Sequence, residues 1–177
     1  LAAVKWYNMY VTIDEKYIHK LTGFRVKTVK SCASAFDELG NDDVVVALSQ
    51  KSGAGRGEHT FASPVGGLYI VMREMGLGID AHTLTPAVGL AVRDSIQAIL
   101  GIDTRLKWVN DVMLNGKKVC GILCRSPRRG EYHIGIGVNY ATPQSAHAEA
   151  GLDDAATLNA DQNKASMFLA DLIRRVH

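Results

Sequence analysis

Apolar positions in this chain fall into two rhythms, one of strands and one of helices. Val44-Val45-Val46-Ala47-Leu48, introduced by Asp43, is an unbroken apolar run, and Gly67-Leu68-Tyr69-Ile70-Val71-Met72 is another; both have the length and composition of strands covered on both faces. Residues 4–13 and 24–29 carry β-formers on either side of a turn or helical segment at 14–19, which predicts two further strands. Residues 106–109, 112–114 and 118–124 are strand-like, and Asn115-Gly116 is the dipeptide that closes a two-residue hairpin. After a turn at Arg128-Arg129-Gly130, residues 132–140 form a strand whose alternating Gly135 and Gly137 leave one face bare.

The helical period is clearest after Thr85-Pro86, where Val88, Ala91, Val92, Ser95, Ile96 and Ile99 recur on one face until Gly101 stops the run; threonine suits a cap and proline the first turn. Residues 34–39 read as a short helix closing at Gly40. Residues 164–176 close the chain as an amphipathic helix through Met167, Phe168, Leu169, Leu172 and Ile173, after a polar, alanine-rich loop over 141–159. Strands outnumber helices, hairpins connect several of them, and the expected class is α/β in the α+β sense: a mixed, largely antiparallel sheet packed with helices.

With 177 residues, 47% of them hydrophobic, the chain suits a single domain able to bury a full core. A net charge of +2 is too small to argue for a nucleic-acid surface, so function must be read from sites. Cys32, Cys120 and Cys124 lack metal-type spacing and read as free thiols, as in a reducing cytoplasm. No apolar run approaches the ~20 residues that span a bilayer.

Three segments carry candidate chemistry. Gln50-Lys51-Ser52-Gly53-Ala54-Gly55-Arg56-Gly57 can bring backbone amides and one guanidinium to an anion, although it has neither the Rossmann nor the Walker spacing and also fits a plain turn. Lys107-Trp108-Val109-Asn110-Asp111 and Lys118, joined by the hairpin, deliver two cations and a carboxylate to one ribbon; singly, each lysine also reads as a solvated head on a flexible stem. Gly135, Gly137 and Asn139 leave room for something bulky against the sheet.

Together these segments resemble the catalytic core of the biotin protein ligases, over residues 31–176. With Ser63-Pro64 as anchor, the glycine-rich loop matches the family's loop without gaps: Gly53, Gly55 and Arg56 occupy family positions, and Phe61 matches the aromatic residue beside adenine. The resemblance implies that Lys118 holds the acid's carboxylate and the oxygen bridging to phosphorus. It implies that Lys107 meets nucleotide phosphate, that Asn110, Asp111 and Asn139 face the nucleotide, and that Thr157, in Ala156-Thr157-Leu158, lies near adenine. Gln50 is implied to cover the biotin ring system, with Ser31, Cys32, Gly53, Gly121, Gly135 and Gly137 lining the same ligand and Gly55, Arg56 and His59 on the nucleotide side. Lys118, Arg56 and Asp111 are the implied catalytic residues, and Asp111 the implied magnesium ligand.

The loop departs from the family pattern where Ala54, Gly57 and His59 stand in place of arginines and Glu58 in place of a glycine. The family's Ser-Thr-Asn signature survives only as Ser31-Cys32-Ala33, and Val109 replaces a proline. The implied activity is ATP-dependent joining of biotin to a lysine of a biotin carboxyl carrier domain through biotinyl-adenylate, on a class II synthetase-like fold. The expectation is one catalytic domain over 1–177, with neither an amino-terminal helix-turn-helix nor a following small β-barrel, located in the cytoplasm and binding neither nucleic acid nor membrane. Monomer and homodimer are both open. The alternatives are a lipoate or octanoate ligase, which Lys-Trp-x-Asn-Asp disfavours, and a non-catalytic paralogue that holds biotin or nucleotide.

Overall fold

The computed structural model describes residues 10–57 and 59–177. Of the strand expected over 4–13, residues 4–9 lie outside the described part, and 10–13 run without strand pairing into the first helix. That helix, α1 (Glu15–Thr22), starts where Asp14 accepts a hydrogen bond from Tyr17 N and ends at Gly23, whose φ of 79° only glycine adopts freely. β1 (Val26–Val29) and β2 (Val44–Ala47) follow, then the ribbon β3 (Gln50–Ala54) and β4 (Thr60–Ser63), and β5 (Leu68–Met75).

The main helix, α2 (Ala81–Ser95), begins earlier than Thr85-Pro86 suggests. Asp80 accepts from Thr83 N and caps the first turn, so Pro86 lies inside the helix and simply leaves one intrahelical bond unmade. A π-turn over Ile96–Leu100 carries the chain to Gly101, whose φ of 73° ends it. β6 (Arg105–Lys107), β7 (Asp111–Leu114), β8 (Lys117–Arg128) and β9 (Glu131–Val138) come next. The loop over 141–159 contains the short α3 (Gln144–Glu149), and α4 (Ala165–Val176) closes the chain.

Seven strands form one sheet in the order β1-β2-β5-β9-β8-β7-β6; β1 and β2 are parallel and every other neighbouring pair is antiparallel. Helices α1, α2 and α4 cover one face, where Ile70, Met72, Ile122, Ile134 and Ile136 meet Val88, Val92, Phe168 and Leu172. The alternate residues of the same strands, Val45, Ala47, Tyr69 and Val71, form a smaller cluster on the other face with Cys32, Ala35 and Leu39. Residues 34–39 are thus turns rather than a helix, held by Asp37 N to Ser34 O and Glu38 N to Ala35 O, while Lys27 Nζ takes the Glu38 carbonyl that a continuing helix would need. Cys32, Cys120 and Cys124 are free thiols, and burial pushes the pKa of each upward.

Candidate active site

Asn115 and Gly116, with φ of 50° and 80°, form the two-residue turn that the Asn-Gly pair requires, and fold β8 back along β7. Asp111 pairs with Gly121 and Val112 with Cys120, but Met113 pairs with Lys118, so Val119 is an extra residue in β8. Simple alternation would put Lys118 on the helix-covered face with Cys120. The bulge sends Val119 and Cys120 together into the core and returns Lys118 to the face of Gly121 and Asp111. The backbone exposed by the bulge is satisfied by the following segment: Lys118 N donates to Asp154 O and Ala156 N to Lys118 O, both at 2.8 Å.

On that face lies a cavity of about 230 Å³. Its floor is the bare strip of Gly121, Gly137 and Gly135, its roof the β3–β4 ribbon, and its polar end Asn110, Asp111 and Lys118. Lys118 Nζ is 2.7 Å from Asp111 Oδ1, a close ion pair rather than an aligned hydrogen bond. Arg56, exposed at the ribbon tip, reaches Asn110 Oδ1 from Nη1 at 3.5 Å, and Asn110 Nδ2 donates to Ile122 O at 3.3 Å. The tip closes through Gly55 N to His59 O at 2.9 Å and His59 N to Arg56 O at 3.1 Å; Glu58 lies outside the described residues.

Two aromatic rings rest on the glycines. A Cβ on Gly121 would stand 2.7 Å, and one on Gly137 2.6 Å, from the Phe61 ring, whose centroid is 5.4 Å from Lys118 Nζ. A Cβ on Gly135 would stand 2.5 Å from Phe36. Tyr69 meets Phe61 edge-on and donates its hydroxyl to Pro64 O, and burial raises its pKa.

Of the residues expected at the site, Gln50, Gly55, Arg56, His59, Phe61, Asn110, Asp111, Lys118, Gly121, Gly135 and Gly137 line this one cavity. The others stand outside its wall. Ser31 is exposed, and Cys32 is buried in a bridge to Gln50. Gly53 packs against Phe61 O and Ser63 Oγ. Asn139 spends its amide on Ala156 O and Lys118 O, and Thr157 donates to Asn139 O, so both fasten the 154–158 segment to the sheet. Gln50 is also engaged at both ends, accepting from Ala35 N and donating to Ser63 Oγ. Lys107 lines a separate, apolar cavity of about 250 Å³ with Pro86, Leu90, Leu106 and Trp108, and the two cavities share Asn110 and Asp111. Ala35, Phe36, Leu123 and Tyr69 are lining residues that no motif marks, because apolar side chains in turns and strands carry no signature of their own.

Among the described residues no three His, Cys, Asp or Glu side chains converge as a resident metal site. Asp111 presents a half-buried carboxylate at the cavity's polar end, a donor that fits a magnesium ion, since that ion takes one or two protein carboxylates and keeps its waters.

A mixed sheet bearing a glycine-floored cavity, with an ammonium–carboxylate pair at one end and a glycine-rich ribbon above, defines an α+β fold with one candidate ligand site. The chain belongs to the biotin/lipoate A/B protein ligase family, whose model matches residues 23–140. It is 37% identical over 116 residues to a biotin--[acetyl-CoA-carboxylase] ligase of Paracoccus denitrificans, covering 60% of this chain and 48% of that protein. A second such ligase, from Mycobacterium tuberculosis, is 32% identical over 146 residues, 76% of this chain and 54% of that one. The chain therefore spans about half the length of these relatives. Among solved structures, the biotin protein ligase of Aquifex aeolicus in complex with biotin and ATP superposes with a TM-score of 0.70 at 26% identity, over 85% of this chain and 68% of that one.

Proposed function

We propose that this chain carries the catalytic core of a biotin ligase that uses ATP to activate biotin and transfers it to a lysine of a biotin carboxyl carrier domain. The observation that carries the reading is the Lys118–Asp111 pair at the end of a glycine-floored trough roofed by the ribbon that bears Arg56. The names of the relatives and the biotin and ATP in the Aquifex aeolicus complex support the choice of acid and nucleotide.

In the first step a carboxylate oxygen attacks the α-phosphorus of ATP, the bond to pyrophosphate breaks, and an acyl-adenylate forms. Bringing two anions to about 4 Å costs on the order of 4 kcal/mol at an intermediate dielectric, and Lys118 and Arg56 supply the opposing charge. A magnesium ion held at Asp111 would add charge neutralisation at the phosphates. Lys107 borders the neighbouring cavity, so its contact with phosphate would require the nucleotide to cross the Asn110–Asp111 ridge.

In the second step the carrier amine attacks the acyl carbon and AMP leaves. Free lysine titrates near ~10.4, so the amine must lose a proton, and Asp111 would accept or orient it. The glycine strip gives the ring system room against the backbone, and the β3–β4 ribbon shields the mixed anhydride from water. No described helix is long and apolar enough to cross a membrane.

The test is exchange of radiolabelled pyrophosphate into ATP. Labelling that depends on biotin is the expected result. Labelling that depends on lipoate or octanoate instead would move the chain to that branch of the family, and none with any acid would make it a binding paralogue.

A further inference from the structure

Three rows of residues cross the face of the sheet that bears the trough. Tyr69, Gly137, Gly121 and Asp111 are in register in the first, Val71, Gly135 and Leu123 in the second, and Arg73, His133 and Arg125 in the third. Successive rows are two residues apart, ~7 Å along a strand. The trough therefore starts at Asp111 and Lys118, runs over Gly137 to Gly135, and meets a charged row.

Phe36 stands at that far limit. Its ring covers Gly135, and the Arg125 guanidinium lies 4.3 Å from the ring centroid on the side of the third row. The turn that carries Phe36 is fixed by Ala35 N donating to Gln50 Oε1 at 2.7 Å, by Lys51 N to Cys32 O and Ser52 N to Ala33 O at 3.0 Å, and by the burial of Ala35 and Leu39. Phe61, the other ring on the strip, is carried by β4 of the two-stranded ribbon and its side chain is free of hydrogen bonds; the Phe36 turn is hydrogen-bonded to β3 of that ribbon and also packs on the seven-stranded sheet.

We propose that Phe36, backed by Arg125, is a specificity-determining end wall that limits how far an acid anchored at Lys118 extends along the glycine strip. The inference rests on the reading of the trough as the acid site. An acid whose body ends over Gly137, short of the Phe36 ring on Gly135, fits once the Phe61 ring moves aside. A longer one must displace a ring held by the turn and by the cation behind it. Neither Ser31 nor Cys32, upstream of the same turn, lines the cavity.

The test is calorimetric titration of the wild-type chain and of Phe36→Ala, Phe36→Leu and Phe36→Trp with biotin and with straight-chain acids from hexanoic to dodecanoic. Phe36→Ala is expected to improve binding of the longest acids relative to biotin on the order of 10-fold, Phe36→Leu less, and Phe36→Trp to shift the ranking toward shorter acids. Thermal melts identify the folded variants, and an alanine protein that fails to fold leaves leucine and tryptophan to decide. An unchanged ranking in the folded variants overturns the wall, while biotin-dependent pyrophosphate exchange by the wild type keeps the acid-site reading. If no acid binds the wild type, both are overturned.

Discussion

Lys118 Nζ sits 2.7 Å from Asp111 Oδ1, so the cation suited to an acid and a phosphate is already engaged by the carboxylate suited to a magnesium ion or an amine. On the proposed reading an arriving acid must share that ammonium, which leaves the carboxylate to turn to the metal or the amine. The pair thus keeps both charges compensated in a half-buried place before any ligand arrives.

Lys118→Ala should abolish biotin-dependent pyrophosphate exchange while leaving a folded protein, because in the proposed reaction the ammonium acts where carboxylate and phosphate meet. The loss of its partner leaves Asp111 uncompensated and should lower stability by about 1–3 kcal/mol. Exchange assays and chemical denaturation on the same preparation check both statements, and full activity in the variant would reject the role.

Arg56 is exposed, and its side chain makes a long hydrogen bond to Asn110 Oδ1. Its removal should therefore spare stability, within about 0.5 kcal/mol. It should instead release acyl-adenylate into solution faster than it is consumed. The check is chromatography of the free and bound intermediate after a single turnover; equal retention in Arg56→Ala and wild type would remove Arg56 from the site.

Much of this was legible from pattern alone. The apolar runs at Val44 and Leu68, the Asn115–Gly116 turn and the period of the last helix each reflect a local preference that burial reinforces, and all became elements close to their expected bounds. The site was legible where chemistry needs a rare residue type, as with glycines facing a cavity and Lys118 beside Asp111. It was less legible where distant contacts decide. The face occupied by Lys118 depends on the Val119 bulge, whose backbone is satisfied by residues 154–156 far along the chain. Asn139 and Thr157 resemble ligand-facing residues in sequence, yet their side chains bind that same segment. Asp80 outcompetes Thr85 as a helix cap because its carboxylate reaches Thr83 N, a choice that depends on the chain's entry path.

Phe61 occupies the strip that the acid would need, against Gly121, Gly137 and Tyr69. Phe61→Ala should speed acid association and weaken retention of the adenylate, since the same ring obstructs entry and covers the occupied trough. Stopped-flow binding and adenylate half-life should move in opposite directions of benefit, each by several-fold. A variant with faster association and an unaltered half-life would limit the ring to gating.

His147 in α3 is 1% exposed, with no hydrogen-bond partner for either ring nitrogen among the described residues, and burial lowers its pKa below the usual histidine value of ~6.5. A depressed histidine pKa means that the unfolded chain binds the proton first as pH falls, so stability is complete above ~6.5 and declines from there down through the folded value. Glu131 has its carboxyl held low by His133 and Arg128, and it loses its contribution only in the carboxylate range, near ~4 and below. The interval between pH 7.5 and 5.5 therefore separates the buried histidine from this carboxyl, and the His147→Leu comparison separates it from the other five histidines. The wild-type melting temperature should fall across it, by about 2–4 °C for each kcal/mol of linkage, and His147→Leu should flatten the decline. The segment that carries His147 also braces the Lys118 backbone through residues 154–156, so exchange activity at pH 5.5 should be more robust in the leucine protein. Parallel melting profiles for the two proteins would assign the acid sensitivity to another group.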